Sequence, residues 1–316
     1  MAPPEAGVPD GACLGTGWSA VASAPANSQL AGVLAGFVFA GFVMILTERR
    51  MSPLRTATLR LFIAGFIVLA LDSYAFSLLT GDVAEQACGR VWTESLIASG
   101  MLVVGAVAVI SGMSWLLASY VEVQSGEEPD DGTAPADGHQ EAMRTLERLL
   151  RRSVYGITTL TVLLLSTAAH DYVNVVFGGR QPPGWASWVS PLYVLLVGTA
   201  MIVTVWWRQR RRTRRAGEPA APPRNELPIA FTCAVSYAVL GTAAIGVTTS
   251  TPVSAWNPVP EAVAACTVGV VLIMPVPTVL ALIYAMPRSA ARLPGPRASP
   301  DSGAFTGPES AGPDGA

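Results

Sequence analysis

The chain has 316 residues, 51% of them apolar and only 13% charged, with a formal net charge of −2. Soluble domains carry about 25% charged residues, so the composition excludes an ordinary water-facing surface and points to lipid. All 20 basic residues are arginine, which leaves the chain without an amine for a Schiff base or for the phosphate contact of a P-loop.

A hydrocarbon core about 30 Å thick takes roughly 20 apolar residues as a helix. Lipid offers no partner to free backbone groups, so each span must satisfy its own, as an α-helix does. The expected fold is therefore all-α, a polytopic transmembrane helix bundle of seven spans over residues 29–286, with the N-terminus outside and the C-terminus inside.

Residues 1–28 are expected to form an extracellular tail. Glu5 and Asp10 are its only charges, and it has neither the basic start nor the continuous apolar run of a signal peptide. The first span is Gln29 to Thr47. Gly32, Gly36 and Ala40 recur there every four residues, as do Ala31 and Ala35, and such small faces let helices approach closely. Arg49, Arg50 and Arg55 follow on the inner side, and Arg60 lies at the mouth of the second span, Leu59 to Thr80.

Asp72 is placed about 20 Å along the second span from its inner end, followed by Ser73 and Tyr74. The loop beyond it is outside and holds Cys88 and Arg90. Cys88 and Cys13 of the tail both face an oxidising exterior, where a disulfide would staple the tail over the second and third helices. The alternative is two free thiols; Cys233 and Cys266 fall within spans.

The third span, Thr93 to Ala118, carries Glu94 near its outer start. The inner loop after it, residues 122–152, changes character along its length. Val123 to Gly138 holds Glu127, Glu128, Asp130, Asp131 and Asp137 among Gly, Pro and Ser, the composition of a solvated, disordered segment. From Gln140 to Arg152, Met143, Leu146, Leu149 and Leu150 recur at helical spacing among Arg144, Arg148, Arg151 and Arg152. This basic amphipathic helix reads first as the cytoplasmic extension of the fourth span, and otherwise as a helix lying on the anionic inner leaflet.

The fourth span, Val154 to Gly178, places His170 and Asp171 about 25 Å from its inner end, with Tyr172 and Asn174 beside them. The second and fourth spans both run outward, so Asp72, Glu94, His170, Asp171 and Asn174 are expected in the outer third. Together they would form one outward-facing polar pocket for a cation or a proton. The alternative is that His170 and Asp171 are wetted at the interface and Asp72 bonds a neighbouring helix.

The fifth span is Trp188 to Trp207, and the loop after it contains Arg208, Arg210, Arg211, Arg212, Arg214, Arg215 and Arg224. That run reads first as a topogenic anchor, and otherwise as a docking strip for anionic lipids on the cytoplasmic face. The sixth span is Pro228 to Thr249 and the seventh Ala262 to Met286, where Pro275 and Pro277 remove backbone donors and should kink the helix. Residues 287–316, which include Arg288, Arg292 and Arg297, are expected to be a disordered cytoplasmic tail.

With an odd number of spans, every arginine except Arg90 and Arg180 falls on one side, the distribution expected of a cytoplasmic face. Trp92, Trp115, Trp185, Trp188, Trp206 and Trp207 fall near the ends of spans, where an indole finds both lipid and hydrogen-bond partners.

Without lysine, a retinal photoreceptor of the microbial rhodopsin type is excluded. With His139 and His170 the only histidines, no zinc-ligand spacing occurs. The residues identify no catalytic group, no metal site and no cofactor. The first reading is a non-enzymatic, multi-pass protein of the bacterial plasma membrane acting as a sensor, scaffold or envelope-complex subunit. The alternative is an ion or small-solute transporter built on the Asp/His pocket, and a membrane enzyme comes third. Expected partners are the lipid bilayer, anionic lipids and a membrane-protein partner or second copy, with no nucleic acid.

Overall fold

A computed structural model describes residues 19–47, 53–81, 88–126, 137–177, 182–214, 226–256 and 259–285. The described residues are helical, with no strand, and contain seven helices long and apolar enough to cross a membrane. These are α1 (Ala20–Thr47), α2 (Pro53–Leu79), α3 (Cys88–Gly126), α4 (Asp137–Val176), α5 (Ala186–Arg214), α6 (Glu226–Ser250) and a seventh span divided into α7 (Glu261–Ile273) and α8 (Pro275–Ala285).

α3 forms the centre. It touches α1, α2, α4, α6, α7 and α8, and 67% of its most apolar stretch is buried by protein. α5 is peripheral, packing on α4 and α8 with only 11% of its apolar stretch covered. Glycines set the closest approach: Gly65 of α2 faces Val109 and Ala108, while Gly105 and Gly112 of α3 receive Leu69 and Phe62. An added Cβ at Gly105 would lie 2.7 Å from the Leu69 side chain, so a larger residue there must displace that side chain.

Reciprocal serine pairs fasten the outer helices. The Ser28 hydroxyl donates to the Ser73 carbonyl and the Ser73 hydroxyl donates back to the Ser28 carbonyl, each at 2.9 Å. Ser166 and Ser190 exchange the same bonds between α4 and α5. In lipid these are directional links that apolar contact does not supply.

Several boundaries differ from the sequence expectation. α1 begins at Ala20, so the end of the expected tail is helical; the Ser19 hydroxyl accepts the Ala22 N–H at 3.2 Å and caps it, and Pro25 is carried inside the helix. α3 continues through Val123 to Gly126, and α4 starts at Asp137, so both edges of the expected disordered segment are helical. Extending a nucleated helix adds one hydrogen bond per residue fixed. The basic amphipathic stretch is part of α4 itself. The core of the acidic segment and most of the N-terminal tail lie outside the described residues, as does the whole of the C-terminal tail.

Among the small residues of α1, Ala31 and Ala35 are buried in the packing against α2, whereas Gly36 and Ala40 are exposed. The proline pair breaks the seventh span at Met274, whose N–H still reaches the Val270 carbonyl at 3.0 Å. Pro275 and Pro277 then offer no N–H to the carbonyls of Val271 and Ile273. Trp92 and Trp115 lie near the ends of α3's apolar stretch but are buried inside the bundle, whereas Trp188, Trp206 and Trp207 are exposed.

Candidate functional site

The register of α2 against α3 fixes the depth of Asp72. Gly65 opposes Val109, Leu69 opposes Gly105 and Phe62 opposes Gly112, an antiparallel alignment that brings Asp72 level with Leu102. Leu102 lies at the middle of the apolar stretch Cys88–Leu117. Asp72 therefore occupies the centre of the bundle's thickness instead of its outer third. Counting along the second span alone misplaces it, because α2 ends at Leu79, level with Ser95 and about 10 Å short of the N-terminal tip of α3.

At that depth the Asp72 side chain is 0% exposed and neither carboxyl oxygen has a hydrogen-bond partner among the described residues. Its sequence neighbours are spoken for elsewhere. Ser73 is bonded to α1, and Tyr74 points outward from the bundle. The group nearest in character is Tyr237 of α6, 2% exposed, whose hydroxyl is also partnerless and which lies within electrostatic range of both Asp72 and Tyr193 of α5. Gly100 of α3 makes the space for that hydroxyl, since an added Cβ there would collide with it.

Tyr193 in turn lines a cavity of about 10 Å³, together with Val103, Thr161, Val197, Pro275 and Val276. Such a volume holds at most one water molecule. The cavity sits at the break in the seventh span, and the α3–α7 alignment of Gly100 with Val271 sets Met274 level with Val103. The unpartnered carboxyl and the broken helix thus share one depth. Among the described residues three more buried hydroxyls lack partners, Ser111, Thr158 and Thr278, and they lie toward the other end of α3, α4 and α8.

The five polar candidates of the sequence do not assemble into one pocket. Glu94 is fully buried but lies about 12 Å nearer the N-terminal end of α3 than the level of Asp72. It is engaged, accepting a 2.7 Å bond from the Thr248 hydroxyl and facing the Arg90 guanidinium at 4.0 Å. His170, Asp171 and Asn174 are exposed on the outer face of α4. The buried member of that stretch is Tyr172, whose hydroxyl donates to Thr93 at 3.1 Å while Thr93 donates to the Gly89 carbonyl. A one-residue step on a helix turns the side chain by about 100°, enough to exchange an inward position for an outward one.

Cys88 is disulfide-bonded, Cys233 and Cys266 are free thiols, and Cys13 lies outside the described residues. Arg208, Arg210, Arg211, Arg212 and Arg214 ride on the final turns of α5; the Arg210 guanidinium stacks 3.9 Å from the Trp206 ring, and Arg215 is outside the described residues. Among the described residues no three His, Cys, Asp or Glu side chains converge as metal ligands.

Neither Tyr237 nor Tyr193 stands out in the sequence. A tyrosine ten residues inside a span, away from the headgroups it prefers, is the signal that would have found Tyr237. The chain matches no known protein family, no curated protein and no solved structure. Seven helices of bilayer length and lipid-like composition are consistent with a multi-pass membrane protein in contact with lipid.

Proposed function

We propose that this chain is a non-enzymatic, multi-pass protein of a bacterial plasma membrane, N-terminus outside and C-terminus inside, which conducts an ion or small solute through the bundle interior by way of Asp72. One observation carries the transport reading: a fully buried carboxyl with no partner, at the middle of the membrane-spanning bundle. A carboxyl at that position costs about 2.5 to 3.5 kcal/mol on insertion scales, and a purely structural one would be bonded. This ranks transport above the sensor or scaffold that the sequence alone puts first.

Orientation rests on two independent supports. The arginines gather on the side where α3, α4 and α5 run past the apolar zone. The disulfide at Cys88 sits at the opposite end, as an oxidising exterior requires. With Cys233 and Cys266 free, we assign Cys13 as its partner. The arginine run at the end of α5 then meets the anionic inner leaflet, each charge contributing about 1 kcal/mol.

Reconstitution into liposomes tests the reading. A membrane-potential dye should report Asp72-dependent charge movement or solute-driven current in wild-type vesicles and none with Asp72→Asn, while reporters at Thr213 and Ser302 should both lie in the cytoplasm. Equal leak in the two proteins would remove Asp72 from function, and reporters in opposite compartments would remove the topology.

A further inference from the structure

Resting on the transport reading, we propose that the ion bound at Asp72 is a proton, relayed past Tyr237 and the cavity beside Pro275 toward the partnerless hydroxyls of Thr158, Thr278 and Ser111. A hard metal cation stripped of water takes about six to eight oxygen ligands. Asp72 offers two oxygens and is fully buried, Tyr237 adds one hydroxyl in electrostatic range, and the small cavity lined by Val103, Thr161, Tyr193 and Pro275 does not reach the carboxyl. A proton needs only one acceptor at a time, and hydroxyls joined through bridging water molecules can hand it on, each accepting one hydrogen bond as it donates another.

The distribution of these groups favours a route over chance. Three hydroxyls without partners among the described residues follow Asp72 and Tyr237 toward the cytoplasmic ends, on α3 and on α4 and α8, which both pack against it. Using the Thr93–Tyr172 and Gly100–Val271 alignments, Thr158 and Thr278 both stand level with Val107, one to two turns from Asp72, and Ser111 stands one turn beyond. The break at Met274 lies between these levels. There the seventh span presents carbonyls that Pro275 and Pro277 cannot bond, as do the discontinuous helices of transporters.

The elements packed on α2 supply little else that titrates. α1 has no charged residue, α6 contributes Tyr237 at this depth, and α3 contributes Glu94 about two turns and Arg90 about three turns further out. Tyr193 of α5 is the remaining group in range, through Tyr237. The relay is balanced without a redox partner. The Asp72 O–H bond breaks, its proton passes to a water or hydroxyl on the inner side, and the carboxylate left behind takes a proton arriving from the outer side. One proton crosses per cycle.

The test uses the full chain in liposomes. Infrared spectroscopy of the wild-type protein should show a protonated-carboxyl carbonyl band that shifts on transfer to D₂O and responds to bulk pH. That band should be missing from Asp72→Asn and retained in Asp72→Glu. In parallel, potential-driven proton uptake should fall at least about tenfold in Asp72→Asn and should slow in Tyr237→Phe, which keeps the carboxyl band. Radioactive sodium and rubidium uptake should match protein-free vesicles. Asp72-dependent sodium or rubidium uptake without proton uptake would overturn the proton assignment and leave the transport reading standing. A carboxyl band silent to both D₂O and pH would overturn the relay, and absence of flux for every ion in wild type would overturn the transport reading with it. The exchange measurement on wild type decides even where Asp72→Asn does not fold.

Discussion

The Tyr237 hydroxyl rests against the α-carbon of Gly100, in space that any side chain at position 100 would take. Gly100→Ala should therefore destabilise the protein by about 1 to 3 kcal/mol, the usual effect of overpacking. Tyr237→Phe removes the colliding atom, so the double variant should recover most of that loss in thermal unfolding in detergent. Equal destabilisation by Gly100→Ala in both backgrounds would mean that the hydroxyl is elsewhere.

The serine pairs predict small and local effects. Ser73→Ala should weaken the attachment of α1 by about 0.6 kcal/mol, with a ceiling near 1.7 kcal/mol, as interhelical side-chain bonds in bilayers do. Ser28→Ala with Ser73→Ala should exceed either alone, because each hydroxyl donates to the other residue's carbonyl. Steric trapping of α1 against the rest of the bundle measures this, and no change in the double variant would show the bonds to be incidental.

Asp72→Val should be more stable than wild type, by about 1 to 3 kcal/mol, because it replaces a partnerless buried polar group with an apolar one of similar shape. The same variant should be silent in transport. Loss of stability in Asp72→Val would indicate a bonding partner for the carboxyl.

Peptide mapping without reduction should recover the Cys13 peptide joined to the Cys88 peptide and leave Cys233 and Cys266 open to alkylation under denaturing conditions. Reduction should restore all four thiols. Alkylation of Cys13 before reduction would disprove the assigned pairing.

What the sequence reveals divides along physical lines. Span number follows from length and hydropathy, which bilayer thickness dictates, and the break at Met274 follows from two prolines that lack donors. Asp72 is legible because an ionisable group in lipid needs a reason. The direction of His170 and Asp171 is not legible, since near the C-terminal end of α4 a polar residue meets water whether it faces the bundle or away from it. Nor is depth legible from one span, because α2 and α3 end at different heights and only their contacts reveal the offset. The early start of α1 is hidden by Pro25, Asn27 and Ser28, which read as loop, yet Ser19 caps the helix and Ser28 is bonded to α2.

The central claim, a carboxyl held dry at the middle of the membrane, is tested most directly by carbodiimide labelling of intact membranes with mass-spectrometric mapping. Asp72 should be modified by a lipid-soluble carbodiimide and spared by a water-soluble one, while exposed Asp171 reacts with the water-soluble reagent. Modification of Asp72 by the water-soluble reagent as fast as Asp171 would contradict the account.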